Sequence, residues 1–299
     1  MDNKAMTTVI GSYPVEIDNN ELIQKYHNQK PFSWDNYIKS AVRDMVNAGI
    51  QIISDGQTRD PFLNIFYRKL EGCRIRQRPE VVDKIRFKEP ITLEDQKYVK
   101  EIIPKNVKLI GLIAGPYTLS MSCSDLFYKD EKELAYDFAY ALKQEANVLD
   151  KNVDMIGIDE PYFSVSMPDY AKELIQIIVK DISCPIRLHA CGDVSSIIPQ
   201  LLDLPVDILS HEFKATPKLF DAFKEYNINK KICLGSVRSD KTQVEPVDEI
   251  TKHITKGADI FGDEISQIAP DCGLRLLSRD VAYQKLENLV KAGEKIYGR

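Results

Sequence analysis

Eight short apolar runs, each closing on a polar residue or a glycine, recur along the chain. They read "TTVIGS", "IQIISDG", "VKLIGLIAG", "VDMIGIDEP", "PIRLHACG", "VDILSHEF", "KICLGSVR" and "ISQIAPDCG". Between most of them the apolar residues repeat at helical spacing, as in "SWDNYIKSAVRDMVNAG", "DEKELAYDFAYALKQEANVLD" and "PVDEITKHITKGA". Gly49 stands where a helix stop is expected. Strands that are apolar along most of their length are buried on both faces. Eight of them alternating with helices predict a closed parallel (β/α)8 TIM barrel. A doubly wound open sheet fits the alternation too, but no glycine-rich phosphate loop follows the first run.

The stretch from Glu71 to Pro104, containing "RIRQRPEVVDKIRFKEP", is charged and longer than an ordinary βα connection. It predicts an excursion on the rim, built as a hairpin plus a short helix. The chain shows no internal repeat, low-complexity tract or flexible linker, so residues 1–299 are expected to form a single domain.

Composition narrows the chemistry. With 299 residues, 43% hydrophobic and 28% charged, the chain can bury a core that needs neither disulfides nor a structural metal. A metal, if present, is expected to serve catalysis. The net charge of −5 comes without a basic block, which argues against a nucleic-acid partner. No apolar signal core opens the chain and no run is long enough to cross a bilayer, so no membrane association and a cytoplasmic location are expected. Of six scattered cysteines, Cys73, Cys123, Cys184 and Cys233 read as small buried residues of a reducing compartment.

Cys191 and Cys272 differ because of where they fall. Barrels of this kind carry their active site at the C-terminal strand ends. Ser12, Asp55, Gln57, Asp159, Glu160, His189, Cys191, Glu212 and Cys272 all stand there. His189 and Cys191 are two apart on a predicted strand, so both side chains project to one side and offer a nitrogen and a sulfur suited to zinc. Cys272, in the turn "APDCGL", would be open to oxidation at the barrel mouth unless something used it. A fourth ligand could come from "ILSHEF": Glu212 or His211, which as strand neighbours face opposite ways. Position alone leaves that choice open.

The motifs "TTVIGSYP", "IGIDEP", "RLHACGD", "ILSHEF" and "IAPDCGL", in this order across essentially the whole chain, resemble the catalytic domain of the cobalamin-independent methionine synthase family. The resemblance implies a Zn²⁺ cofactor held by His189, Cys191, Glu212 and Cys272, and thus selects Glu212 over His211. It implies transfer of a methyl group to the thiol of homocysteine, forming methionine. For homocysteine it implies a pocket in which Ile10 to Ser12 offer backbone groups and the Ser12 hydroxyl to the carboxylate, while Asp159 holds the ammonium. Gln57 stands where the long members of the family place a glutamate, so Asp159 carries more of that task.

Other departures bear on the methyl donor. The chain is similar to the short, single-barrel form associated mainly with archaea. After "AGPYT" the long enzymes place a tryptophan against the folate ring, whereas this chain has "LSMSCS", with Ser122 near that position. The only tryptophan, Trp34, falls in the first predicted helix. Where the long enzymes have a proton-handling histidine after the seventh strand, Asp240 stands in "LGSVRSDKTQ". A pterin would lose both its stacking platform and its proton donor. The expected donor is therefore a methylated corrinoid presented by a partner protein. The alternatives are methyltetrahydrofolate as donor, or a zinc methyltransferase for another thiol such as coenzyme M.

Overall fold

The computed structural model describes residues 5–298, apart from 17, 21–22, 24–26, 28–32 and 60–62. All eight apolar runs form parallel strands of one sheet: β1 (Met6–Thr7), β2 (Ile52–Ile53), β5 (Lys108–Ala114), β7 (Met155–Asp159), β8 (Ile186–His189), β9 (Ile208–His211), β10 (Lys231–Val237) and β11 (Ile265–Pro270). Their order is β1-β11-β10-β9-β8-β7-β5-β2. The sheet curls until its two ends meet: Thr8 bridges Ile52 in parallel, and the Thr8 hydroxyl donates to the Ile52 carbonyl at 2.9 Å. This is the expected (β/α)8 barrel.

Side-chain alternation along each strand builds two cores. On β5, Ile110 and Leu112 point into the barrel, where they pack with Ile10, Met155, Ile208 and Ala269. Leu109 and Ile113 point outward to the helices. The same parity runs along β8: Ile186, Leu188 and Ala190 pack outward, and Arg187 and His189 are left for the interior. Register then stacks one layer across three strands, since Asp159 on β7 pairs with His189 on β8, and His189 with Ser210 on β9.

Residues 71–102 leave the barrel. Strands β3 (Glu71–Ile75) and β4 (Pro79–Arg86) pair antiparallel, with β6 (Ser124–Asp125) added at the β4 edge, and a helix covers Leu93–Ile102. Trp34 does not sit inside the first long helix as expected. It precedes it at the cap of Asp35–Asn47 and packs beside Tyr37. Among the described residues no helix is long and apolar enough to cross a membrane, and the six cysteines are all free.

Candidate active site

The cavity at the C-terminal mouth of the barrel has about 810 Å³ of open space, its solvent mouth included. One wall carries sulfur and nitrogen donors. His189 ends β8 and is almost fully buried. Its Nε2 lies 3.1 Å from Cys191 Sγ, and Cys191 Sγ lies 3.2 Å from Cys272 Sγ. Cys191 is not on the strand, contrary to expectation. β8 stops at His189, and a loop carries the thiol back over the same face.

These three ligand atoms lie within 4.8 Å of one another, and they form the only such group among the described residues. Tetrahedral donors at zinc distances stand roughly 3.6–3.8 Å apart, so an ion would spread the set by about half an ångström. That displacement is within side-chain reach, and two sulfurs with one imidazole suit zinc. The other ring nitrogen, Nδ1, meets Ser210 Oγ at 3.1 Å, which fixes the ring's plane. Ser210 was not singled out in the sequence. Its place two residues before Glu212, on the strand beside His189, was the available signal.

Glu212 is not part of the three-residue group; its Oε2 accepts the Gly192 amide at 2.6 Å. That amide is aimed at it by a left-handed backbone at Gly192, φ +76°. Glu212 still faces the site. Burial raises its carboxyl pKa above the usual range, and the charge on Cys272 adds to the rise. The hydrogen bond from Cys191 holds the Cys272 thiol far below its ordinary pKa, and the same bond drives Cys191 up. Burial alone would lower His189, but its contact with charged Cys272 outweighs that and raises it.

Beside His189, on the neighbouring strand β7, stands Asp159. It is buried, its Oδ1 has no partner among the described residues, and burial pushes its carboxyl up to about 7 against the pull of His189 and Arg187. A buried acid with an empty oxygen is prepared for a cationic ligand. Its neighbour Glu160, also buried, points elsewhere. It accepts from the amides of Tyr117 and Thr118 (3.0 and 2.8 Å) and from the Thr118 hydroxyl (2.6 Å), closing the start of helix Pro116–Met121. Gly115 admits it, since a Cβ there would lie 2.0 Å from the Glu160 carboxyl carbon. Glu160 is thus a structural acid.

Ile10, Ser12 and Gln57 complete the floor. The loops that bear them are laced together: Ser54 Oγ donates to the Gly11 carbonyl at 2.7 Å and the Tyr13 amide donates to Gly56 O at 2.9 Å. Gln57 sits in the left-handed region at φ +46°, held by an Asp55 oxygen that accepts its amide at 3.0 Å. Two of the segment's acceptors are already engaged. The Ile10 carbonyl accepts from Arg187, and the Ser12 carbonyl accepts from Leu274. The backbone amides and the Ser12 hydroxyl are what this segment can offer a ligand.

At the two positions that bear on the donor, no aromatic ring or histidine stands among the described residues. Ser122 caps helix Pro116–Met121, and Asp240 is paired with Arg238 at 2.5 Å. The nearest histidine after β10, His253, is spent on the Gly235 carbonyl at 2.9 Å.

Comparison with known proteins agrees with this architecture. Residues 5–295 match the family model described as the catalytic domain of cobalamin-independent synthase. A protein named methionine synthase from Methanocaldococcus jannaschii is 38% identical, over 96% of this chain and 98% of its own. Another from Methanothermobacter marburgensis is 36% identical, over 96% and 98%. Among solved structures, a B12-independent methionine synthase from Shewanella sp., in complex with selenomethionine, shares the fold at a TM-score of 0.83 and 23% identity, covering 98% of each chain. The chain belongs to the cobalamin-independent synthase family, as a catalytic domain of that type.

Proposed function

We propose that the chain transfers a methyl group to the sulfur of homocysteine, forming methionine, with zinc held by His189, Cys191 and Cys272 and with Glu212 as the fourth ligand. One observation carries this reading: three zinc-type donors and an unpartnered buried carboxyl line a single cavity. An amino acid bearing a thiol has matching groups, an ammonium for Asp159 and a sulfur for the site of His189, Cys191 and Cys272. The relatives named methionine synthase support the same acceptor.

Within this reading the chain's own groups divide the work. Asp159 accepts the ammonium and is kept ionised by it, since a cation at that oxygen offsets the cost of burial. The amides of Gly11 and Ser12, with the Ser12 hydroxyl, receive the carboxylate, and Gln57 closes the pocket from the β2 side. Ser210 holds the His189 ring in register with the thiols. Glu212, held by the Gly192 amide beside the group, would exchange that contact for the metal. Zinc bound there supplies a Lewis acid that ionises a thiol at neutral pH while leaving it nucleophilic.

For the donor we propose a methylated corrinoid carried by another protein. Its support is the lack of an aromatic platform at Ser122 and of a proton donor near Asp240. The second reading is methyltetrahydrofolate, favoured by the description of the family as cobalamin-independent. Zinc-loaded protein given homocysteine should make methionine from methylcobalamin and not from methyltetrahydrofolate. Turnover with the folate alone overturns the donor assignment, and full activity after chelation overturns the zinc centre. Methylation of coenzyme M in preference to homocysteine would reassign the acceptor.

A further inference from the structure

Arg187 lies beneath the cavity, two residues before His189 on the inward face of β8, and is fully buried. Its four hydrogen bonds all go to neutral oxygens. Nη1 donates to Thr8 Oγ1 (3.3 Å) and Gln267 Oε1 (3.2 Å), and Nη2 donates to the carbonyls of Val9 (2.9 Å) and Ile10 (3.2 Å). Nε has no partner among the described residues. Asp159 is near enough to feel its charge, but none of its hydrogen bonds reaches a carboxylate, and a buried guanidinium without a hydrogen-bonded carboxylate is costly. Stability does not account for it.

Its contacts show what it does to β1. In a strand, successive carbonyls point to opposite neighbours. Here the carbonyls of two successive residues, Val9 and Ile10, turn to one nitrogen. The ladder therefore ends at Thr8, and the segment beyond it is released. The amides of Gly11 and Ser12 meet no acceptor among the described residues, although both residues line the cavity. Free amides above a buried guanidinium that no carboxylate hydrogen-bonds make an anion site, and it faces the cavity that Asp159 lines for a cation.

We propose that Arg187 is a positioning residue for the methyl acceptor: it turns the Val9–Ser12 segment so that its amides receive the acceptor's α-carboxylate, and its charge favours that anion. The inference rests on the amino-acid acceptor proposed above. It adds that recognition of the carboxylate, as distinct from the amine or thiol, depends on a residue that touches none of them.

The test compares homocysteine with its carboxyl-free analogue, 3-mercaptopropylamine, as methyl acceptors for the zinc-loaded protein, with zinc content measured in parallel. The unaltered protein should prefer homocysteine. In Arg187→Met, KM for homocysteine should rise about 10–100-fold, the worth of a hydrogen-bonded charge. KM for the analogue and the zinc content should stay close to their original values, so the preference collapses. An R187M protein that keeps the full preference overturns the role of Arg187 and leaves the acceptor reading intact. Failure of the unaltered protein to use either thiol overturns the acceptor reading itself. Should R187M not fold, Gln267→Met removes one anchor of the guanidinium and should shift the preference the same way by a smaller factor. An unchanged preference in Q267M then overturns the proposal.

Discussion

Strands β8 and β9 lie side by side and each ends in a buried histidine, yet the two residues live in different chemistry. His189 points into the barrel, meets Cys191 and is oriented by Ser210. His211 points outward, donates from Nδ1 to the Ala190 carbonyl, and lies between Phe213 and Phe223. His189 is raised by a charged thiol, and His211 is lowered to about 4 by burial without a charge to offset it. The difference is parity along the strand. A one-residue slip of β9 would exchange His211 for Ser210 and Glu212 at the cavity, placing a second imidazole there and removing the orienting hydroxyl.

The largest effect should come from the inward set. Cys272→Ser or Cys191→Ser should lose stoichiometric zinc and lower methyl transfer by more than the roughly 100-fold expected for residues that merely orient a ligand. Metal analysis beside the rate checks this, and an active, zinc-replete serine variant would break the comparison at once.

His211 should instead govern stability against acid. Its folded pKa of about 4 lies below the usual histidine value, so between the two the unfolded chain binds a proton that the native chain refuses. Its contribution is complete above about pH 6.5 and declines as the pH falls towards 4, by up to about 3 kcal/mol. The fall in urea midpoint from pH 7 to pH 4.5 should be smaller in His211→Gln than in the unaltered protein. Equal slopes would mean that His211 is not held neutral.

Asp159 and Glu160 repeat the contrast within two adjacent residues, both with carboxyls raised to about 7 by burial. Asp159→Asn should weaken homocysteine binding by about 10–100-fold with little change in folding, since it removes the charge that pairs with the ammonium. Glu160→Gln should do the reverse and cost about 1–3 kcal/mol of stability, because three donors lose an ionised acceptor. Calorimetry with methionine and a melting curve separate the two.

The mildest test of the inward wall is Ser210→Ala. Zinc affinity should drop by about 10–100-fold, measured by competition with a chelating dye, while folding is unchanged. An unaltered affinity would show that neighbouring packing, and not the hydroxyl, sets the ring.

Most of the barrel could be read from the chain, because a strand buried on both sides must be apolar along its length and a helix must repeat its apolar residues every three to four positions. The gathering of His189, Cys191 and Cys272 at the barrel mouth was legible too, since residue type and position at a strand end already restrict chemistry. Local pattern does not carry distances between remote segments. The hydrogen bond that Glu212 accepts from Gly192, a left-handed glycine 20 residues away, could not be read there. Glu160 stood in the sequence with the other polar strand ends, and packing gave it to a helix start. Ser210 and Arg187 looked like ordinary strand residues. Their roles arise only when β8, β9 and β1 come together, where the register aligns a hydroxyl with an imidazole and the closure of the barrel sets two carbonyls against a buried charge. The sequence determined which groups are present and which face of each strand they occupy. Only the tertiary structure decided which partners those groups meet, because hydrogen bonds and electrostatic forces depend on distances of a few ångströms that sequence spacing does not specify.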